Sequence, residues 1–184
     1  MKQGIYIEVR VGERLKKYIE ECYRRRGELK DGTICPKKGS SVRDIMMPYI
    51  ETHPSNEEQG LPEAETIRIS IPIRKDQKVY NSATDKVYYC DTFWRHWLSS
   101  AGHKKMERLF ENNFRFYLFA HLDGYIKGQT ERNPCGRPKV KHGLYEFCDN
   151  FHIDPDRKDV QKLLRAYYRY LEDREQSLVS PFFF

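Results

Sequence analysis

Two stretches of the chain alternate apolar and polar residues with a period of two: Ile5-Tyr6-Ile7-Glu8-Val9-Arg10-Val11 and Ile67-Arg68-Ile69-Ser70-Ile71-Pro72-Ile73. Alternation of this kind gives a strand one dry face and one wet face. Two matched strands can pair as an antiparallel ribbon, and a ribbon is narrow enough to enter a DNA major groove. Most other apolar positions recur at helical spacing. Leu15, Tyr18, Ile19, Cys22 and Tyr23 form one stripe and predict a helix over 13–26, closed by Gly27. Ser40 or Ser41 can cap a short helix from Val42 to about Glu51, with Pro48 set to kink or shorten it. A polar connection follows the second strand, with Val87-Tyr88-Tyr89 as a further short strand. Residues 92–99 read as a short helix carrying Phe93, Trp94 and Trp97.

The longest helical candidate covers 104–126, with Met106, Leu109, Phe110, Phe114, Tyr117, Leu118 and Leu122 at mixed three- and four-residue steps. Residues 143–151 predict another helix. Asp154 as cap with Pro155 at the first position predicts one more, running through Leu171 on a core face of Val160, Leu163, Leu164, Tyr167 and Tyr168. The expected fold is therefore α+β: a small antiparallel sheet or two-stranded ribbon with several helices, plus a C-terminal helical pair. The expected organisation is an α+β domain of two strand-helix units over 1–127, a basic linker over 128–142, the helical pair over 143–176 and an aromatic tail over 177–184.

Charge sharpens this picture. The chain has 184 residues and a formal net charge of +6, unevenly placed. Residues 1–40 hold eleven Lys/Arg against six Asp/Glu, residues 41–73 two against six, and residues 74–142 fourteen against seven. Two basic blocks flank an acidic connector, the pattern expected if the basic blocks face a polyanion. The sequence has no apolar run of the length a membrane helix needs and no signal-peptide core after Met1, so no membrane partner is expected. Five cysteines without framework spacing read as reduced thiols, which predicts a cytoplasmic protein.

Strand, amphipathic helix and Ser-led second helix, carried by Ile7-Glu8-Val9-Arg10-Val11, Glu13-Arg14-Leu15 and Ser40-Ser41-Val42-Arg43-Asp44-Ile45, resemble the ribbon-helix-helix family of DNA-binding proteins. The resemblance implies that two such units pair their strands, the second being Ile67 to Ile73 followed by the aromatic helices, so that one chain forms a pseudo-dimer. Tyr6, Glu8 and Arg10, with Arg68 and Ser70, would then face the groove, where Arg suits the paired acceptors of guanine. The backbone N–H groups of Val42 and Arg43 would hold a phosphate. The chain departs from the family in its long connection over 27–40 and in Pro48 and Pro72. As a whole it also resembles the small, basic, Tyr-rich proteins of phages and mobile elements.

Other basic groups have two readings each. Arg24, Arg25 and Arg26 suit both the negative pole of their helix and contact with phosphates. Gly136-Arg137-Pro138 is the core of an AT-hook, a minor-groove element, with Lys139 and Lys141 nearby for phosphates; it is also consistent with a basic linker. Arg165 and Arg169, one turn apart, could track a phosphate backbone. Cys135, His142, Cys148 and His152 are candidate zinc ligands, but Cys148 lies on the apolar stripe with Phe147 and Phe151, where a thiol acts as a small hydrophobe. Neither metal nor cofactor is expected. The terminal Phe182, Phe183 and Phe184 suit docking into a protein partner. No phosphate loop, nucleophile elbow or metalloprotease motif occurs, so no enzyme is expected. The expectation is a double-stranded DNA-binding regulator or accessory factor. The alternative is an interaction or assembly protein docking through its aromatic tail.

Overall fold

A computed structural model describes residues 6–53, 65–71, 78–81, 86–89 and 95–179. The chain divides into two compact units, residues 1–113 and 114–184. The first is built around a four-stranded sheet. Strand β1 (Tyr6–Arg10) leads through Gly12, whose positive φ of 77° favours glycine, into helix α1 (Glu13–Arg25). A tight hairpin follows, β2 (Leu29–Lys30) and β3 (Thr33–Ile34), turning on Asp31 and Gly32. Both turn residues have positive φ, which suits the right-handed twist of the flanking strands. Helix α2 (Ser41–Met46) is capped by Ser40 and passes into a 3-10 turn over Met47–Tyr49. Pro48, which cannot donate a helical hydrogen bond, ends the α-helix early. The chain then continues as β4 (Ile50–His53) rather than as the helix expected to reach Glu51.

Strand β5 (Thr66–Ser70) is the inner strand of the sheet, in the order β1-β5-β3-β2. It pairs antiparallel with β1 and parallel with β3. The sheet is therefore mixed, wider than the two-stranded ribbon. A separate hairpin joins β6 (Lys78–Asn81) to β7 (Lys86–Tyr89). Strand β8 (Arg95–Leu98) pairs with β4 and also approaches β1. The expected aromatic helix over 92–99 is thus corrected at Trp97, which lies in β8; Phe93 and Trp94 fall outside the described residues. Aromatic side chains suit strands as well as helices, and β4 supplies the hydrogen-bonding partner.

Ile7, Val9, Ile34, Ile67 and Ile69 form the dry side of the sheet and are buried together with Leu15, Ile19, Val42, Met46, Met106 and Phe110. Helix α1 packs on β5 and β2. The beginning of helix α3 (Ser100–Arg132) belongs to the same unit, tied to α1 by Arg14–Glu111 at 3.1 Å and by the Tyr18 hydroxyl, which donates to the Asn113 carbonyl at 3.4 Å. Gly102 is needed at the close approach of α3 to its neighbours: a Cβ there would meet Leu98 and Tyr49 at 2.6 Å.

The second unit comprises the rest of α3, helix α4 (Val140–Asn150) and helix α5 (Arg157–Val179). The helical pair is present, with the end of α3 as its third member. Three boundaries differ from expectation. Helix α3 continues to Arg132, so the connection to α4 is Asn133–Lys139 rather than 128–142. Gly143, read as a helix start, lies inside α4, where a Cβ would meet Tyr125 at 2.8 Å and Leu122 at 3.2 Å; glycine permits that helix–helix approach. Asp156, not Asp154, caps α5: its Oδ1 accepts from the Asp159 N–H at 2.6 Å, leaving Pro155 ahead of the helix.

The core of this unit is aromatic. Phe114, Leu118, Leu122, Leu144, Phe147, Leu163 and Tyr167 are buried. Burial raises the Tyr167 phenol, reinforced by its bond to Asp123, and burial pushes Tyr23 of the first unit up to about 12. A phenol whose folded value lies above its unfolded value of 10.0 keeps its proton longer in the native state. The unfolded chain then binds fewer protons, so stability falls as pH rises from about 10 towards 12. An alkaline titration is expected to show two tyrosines ionising only with unfolding. Tyrosinate absorbance rising for all tyrosines before the loss of circular dichroism would contradict this.

Candidate nucleic-acid interface

The register of β1 and β5 decides what the outer face of the sheet presents. Tyr6 lies opposite Ser70, Glu8 opposite Arg68 and Arg10 opposite Thr66. Because alternate residues share a face, Tyr6, Glu8, Arg10, Arg68 and Ser70 all lie on the side away from Ile7, Val9, Ile67 and Ile69. Tyr6, Arg10 and Arg68 are exposed, and Glu8 and Ser70 half-buried. Thr33 and Lys30 extend the Glu8–Arg68 row across the sheet.

The two arginines are oriented by partners. Arg68 Nε donates to Glu8 Oε1 at 3.0 Å, and its guanidinium lies over the Tyr6 ring at 5.3 Å. Arg10 pairs with Glu65 at 2.7 Å. The main-chain carbonyl of Glu65 accepts from the N–H groups of Val11 at 2.8 Å and Gly12 at 3.2 Å, which fixes this carboxylate beside β1. Exposed ion pairs of this type contribute about 0–1 kcal/mol each, so an incoming acceptor can displace the carboxylates at small cost.

The remaining expected contacts are dispersed. Arg24 and Arg25 are both ion-paired with Glu21, and Arg26 lies over the Tyr23 ring at 5.7 Å, so all three are engaged at the end of α1. The N–H of Arg43 donates to Ser40 Oγ at 3.4 Å, which corrects the expectation that this group is open to a phosphate. Arg137 and Lys139 are exposed in the connection between α3 and α4. That connection turns at Asn133, whose carbonyl accepts from the Gly136 N–H at 3.0 Å. Lys141 belongs to α4 and lies over the Tyr145 ring at 5.5 Å. Phe182, Phe183 and Phe184 lie outside the described residues. Cys148 is buried, Cys135, His142 and His152 are exposed, and no group of three or more metal-ligating side chains occurs among the described residues. Among the described residues no helix is long and apolar enough to cross a membrane.

A second basic surface was only half legible in the sequence. Lys158, Lys162, Arg165 and Arg169 are all exposed on α5. Their four-, three- and four-residue steps place them in one row, opposite the buried Val160, Leu163 and Tyr167. None has an ion-pair partner among the described residues. On α1, by contrast, Lys17 pairs with Glu13 at 2.9 Å, Lys16 with Glu20 at 3.9 Å and Arg25 with Glu21 at 2.9 Å. Each like-charge neighbour at this spacing destabilises a helix by roughly 0.2–0.5 kcal/mol. The signal in the sequence was the spacing of Lys158 and Lys162 relative to Arg165 and Arg169. Compared with protein-family models, with curated proteins and with solved structures, the chain has no significant match to any of them.

Proposed function

We propose that the protein is a non-catalytic binder of double-stranded DNA, a regulator or accessory factor, that applies the outer face of β1 and β5 to the base edges. One observation carries this reading: Tyr6, Glu8, Arg10, Arg68 and Ser70 share an open face on two paired strands, with an apolar layer directly beneath. A guanidinium steadied by a carboxylate and a ring is poised to meet the two acceptors of a guanine, and the firm strand backbone limits what ordering it costs. Glu8 supplies the matching acceptor for a cytosine amino group. The approach differs from that of a free ribbon, because β3 flanks β5 beside Arg68 and Ile69. The face would lie along the groove, with β8 near β1 on its other side.

The test starts by selecting a preferred site from a random duplex pool and then titrates wild type, Arg10→Ala and Arg68→Ala on the selected and on random duplexes. Loss of a bidentate arginine contact removes about 1–3 kcal/mol of discrimination, so Arg68→Ala is expected to narrow the preference for the selected site by roughly 5- to 150-fold. Equal preference in all three proteins would remove the sheet as the reading surface.

A further inference from the structure

The row of Lys158, Lys162, Arg165 and Arg169 has no structural task that accounts for it. It faces away from the core of its unit, and none of the four is neutralised by a carboxylate among the described residues. The carboxylates that α5 carries sit at the margins of the row: Asp159 beside Lys162, Glu172 and Asp173 one turn beyond Arg169, and Glu175 further on, none of them in an ion pair with the four cations. The sequence therefore concentrates like charge at positions where it weakens the helix, in a protein that neutralises the corresponding cations on α1. A polyanion laid along the row would convert that repulsion into binding energy.

We infer that this face of α5 is a phosphate-binding surface, separate from the sheet, that grips the backbone of a DNA duplex without reading its sequence. The inference rests on the reading of the chain as a duplex binder, though not on the sheet as its reader. Lys158 and Arg169 are eleven positions apart, which is about 16 Å along the helix axis. B-form DNA carries one phosphate per roughly 3.4 Å of axis on each strand, so a helix lying along one backbone passes about five phosphates over that span, enough for all four cations to reach one each. The row is short and closed by acid, so it fits a bounded object rather than a broad anionic plane. A bilayer is a poorer partner for a second reason: the apolar side of α5, with Val160, Leu163 and Tyr167, is occupied within its own unit and has nothing to insert.

The experiment compares the full chain with its Lys162→Gln/Arg165→Gln variant and, as a control, Lys127→Gln, an exposed lysine at 4.0 Å from Glu131 on α3. Fluorescence anisotropy against a labelled random duplex at ~0.1 M salt is expected to show a loss of about 60-fold in affinity for the double variant, from two released phosphate contacts, and none for the control. The melting temperature of the double variant should stay level or rise, since like-charge repulsion is relieved; a purely structural role for these residues would lower it. Unchanged duplex affinity overturns the inference, as does an affinity loss confined to phosphatidylserine vesicles or to double-stranded RNA. Failure of the sheet is read separately, because Arg68→Ala then leaves site preference intact while the α5 variant still loses affinity for random duplex.

Discussion

Replacing Tyr167 by alanine is expected to destabilise the second unit by about 3–5 kcal/mol, the range for deleting a large aromatic side chain from a packed core. Tyr167 is wholly buried. Its ring lies 5.5 Å from that of Phe119 and 6.0 Å from that of Tyr170, so its loss leaves a cavity lined by side chains from two helices. Its hydroxyl donates to Asp123 Oδ1 at 2.6 Å. The same carboxylate accepts from Tyr170 at 3.4 Å and from Arg174 at 3.0 Å, and it remains partly exposed. Tyr167→Phe therefore removes one of three partners from a solvated acceptor and should cost only about 1 kcal/mol. The pair separates packing from hydrogen bonding. Denaturant titrations should give a much lower midpoint for the alanine variant, and amide exchange should show lost protection in α4 and α5. Equal destabilisation by the two substitutions would place the contribution in the hydroxyl and contradict the packing argument.

How much of this was legible beforehand depended on how far a residue's role is set by its neighbours in sequence. The α+β fold, β1, β5 and the wet and dry sides of both strands follow from period-two alternation, which fixes the face of every residue in a strand. The placing of Glu8 opposite Arg68 does not follow, because the strands are far apart in the chain and register depends on tertiary contacts. Nor could the pairing of Arg10 with Glu65 be read, since Glu65 lies in the acidic connector, far from Arg10 in the chain. Asp31-Gly32 is a strong turn signal, but the strands of the β2–β3 hairpin, of two residues each, are too short to show a period. Gly143 reads as a helix start, yet inside a helix glycine also serves close packing, which only the facing side chains Tyr125 and Leu122 reveal; Gly128, read as the start of a linker, lies within α3 with open space around it. Asp154 and Asp156 are equivalent as caps in the sequence; only the backbone path shows that the N–H three residues on is turned toward the carboxylate of Asp156. Along α5, Arg165 and Arg169 stand out in the sequence as a pair one turn apart, whereas Lys158 and Lys162 join them only when the same spacing is carried back to the start of the helix.

Raising salt from 50 to 200 mM is expected to weaken binding to a random duplex by about 150-fold through the α5 row alone, since four neutralised phosphates give a slope near −3.6 in log affinity against log salt. Any phosphate contacts made elsewhere on the chain steepen the slope, so the value for four is a floor. The two surfaces should move different observables. A cation that meets a phosphate contributes to the slope and nothing to sequence preference, whereas an arginine on a base edge does the reverse. Lys162→Gln/Arg165→Gln should therefore flatten the slope by about 1.8 and leave the ratio of selected to random affinity unchanged. Arg68→Ala should reduce that ratio with little change in slope. The net charge of +6 on the whole chain cannot produce this division, because a diffuse field would give each arginine or lysine substitution a similar, small effect on both quantities. A wild-type slope shallower than −3 would mean that the α5 cations remain in solvent when DNA is bound, and the unrelieved repulsion along that helix would then need another partner.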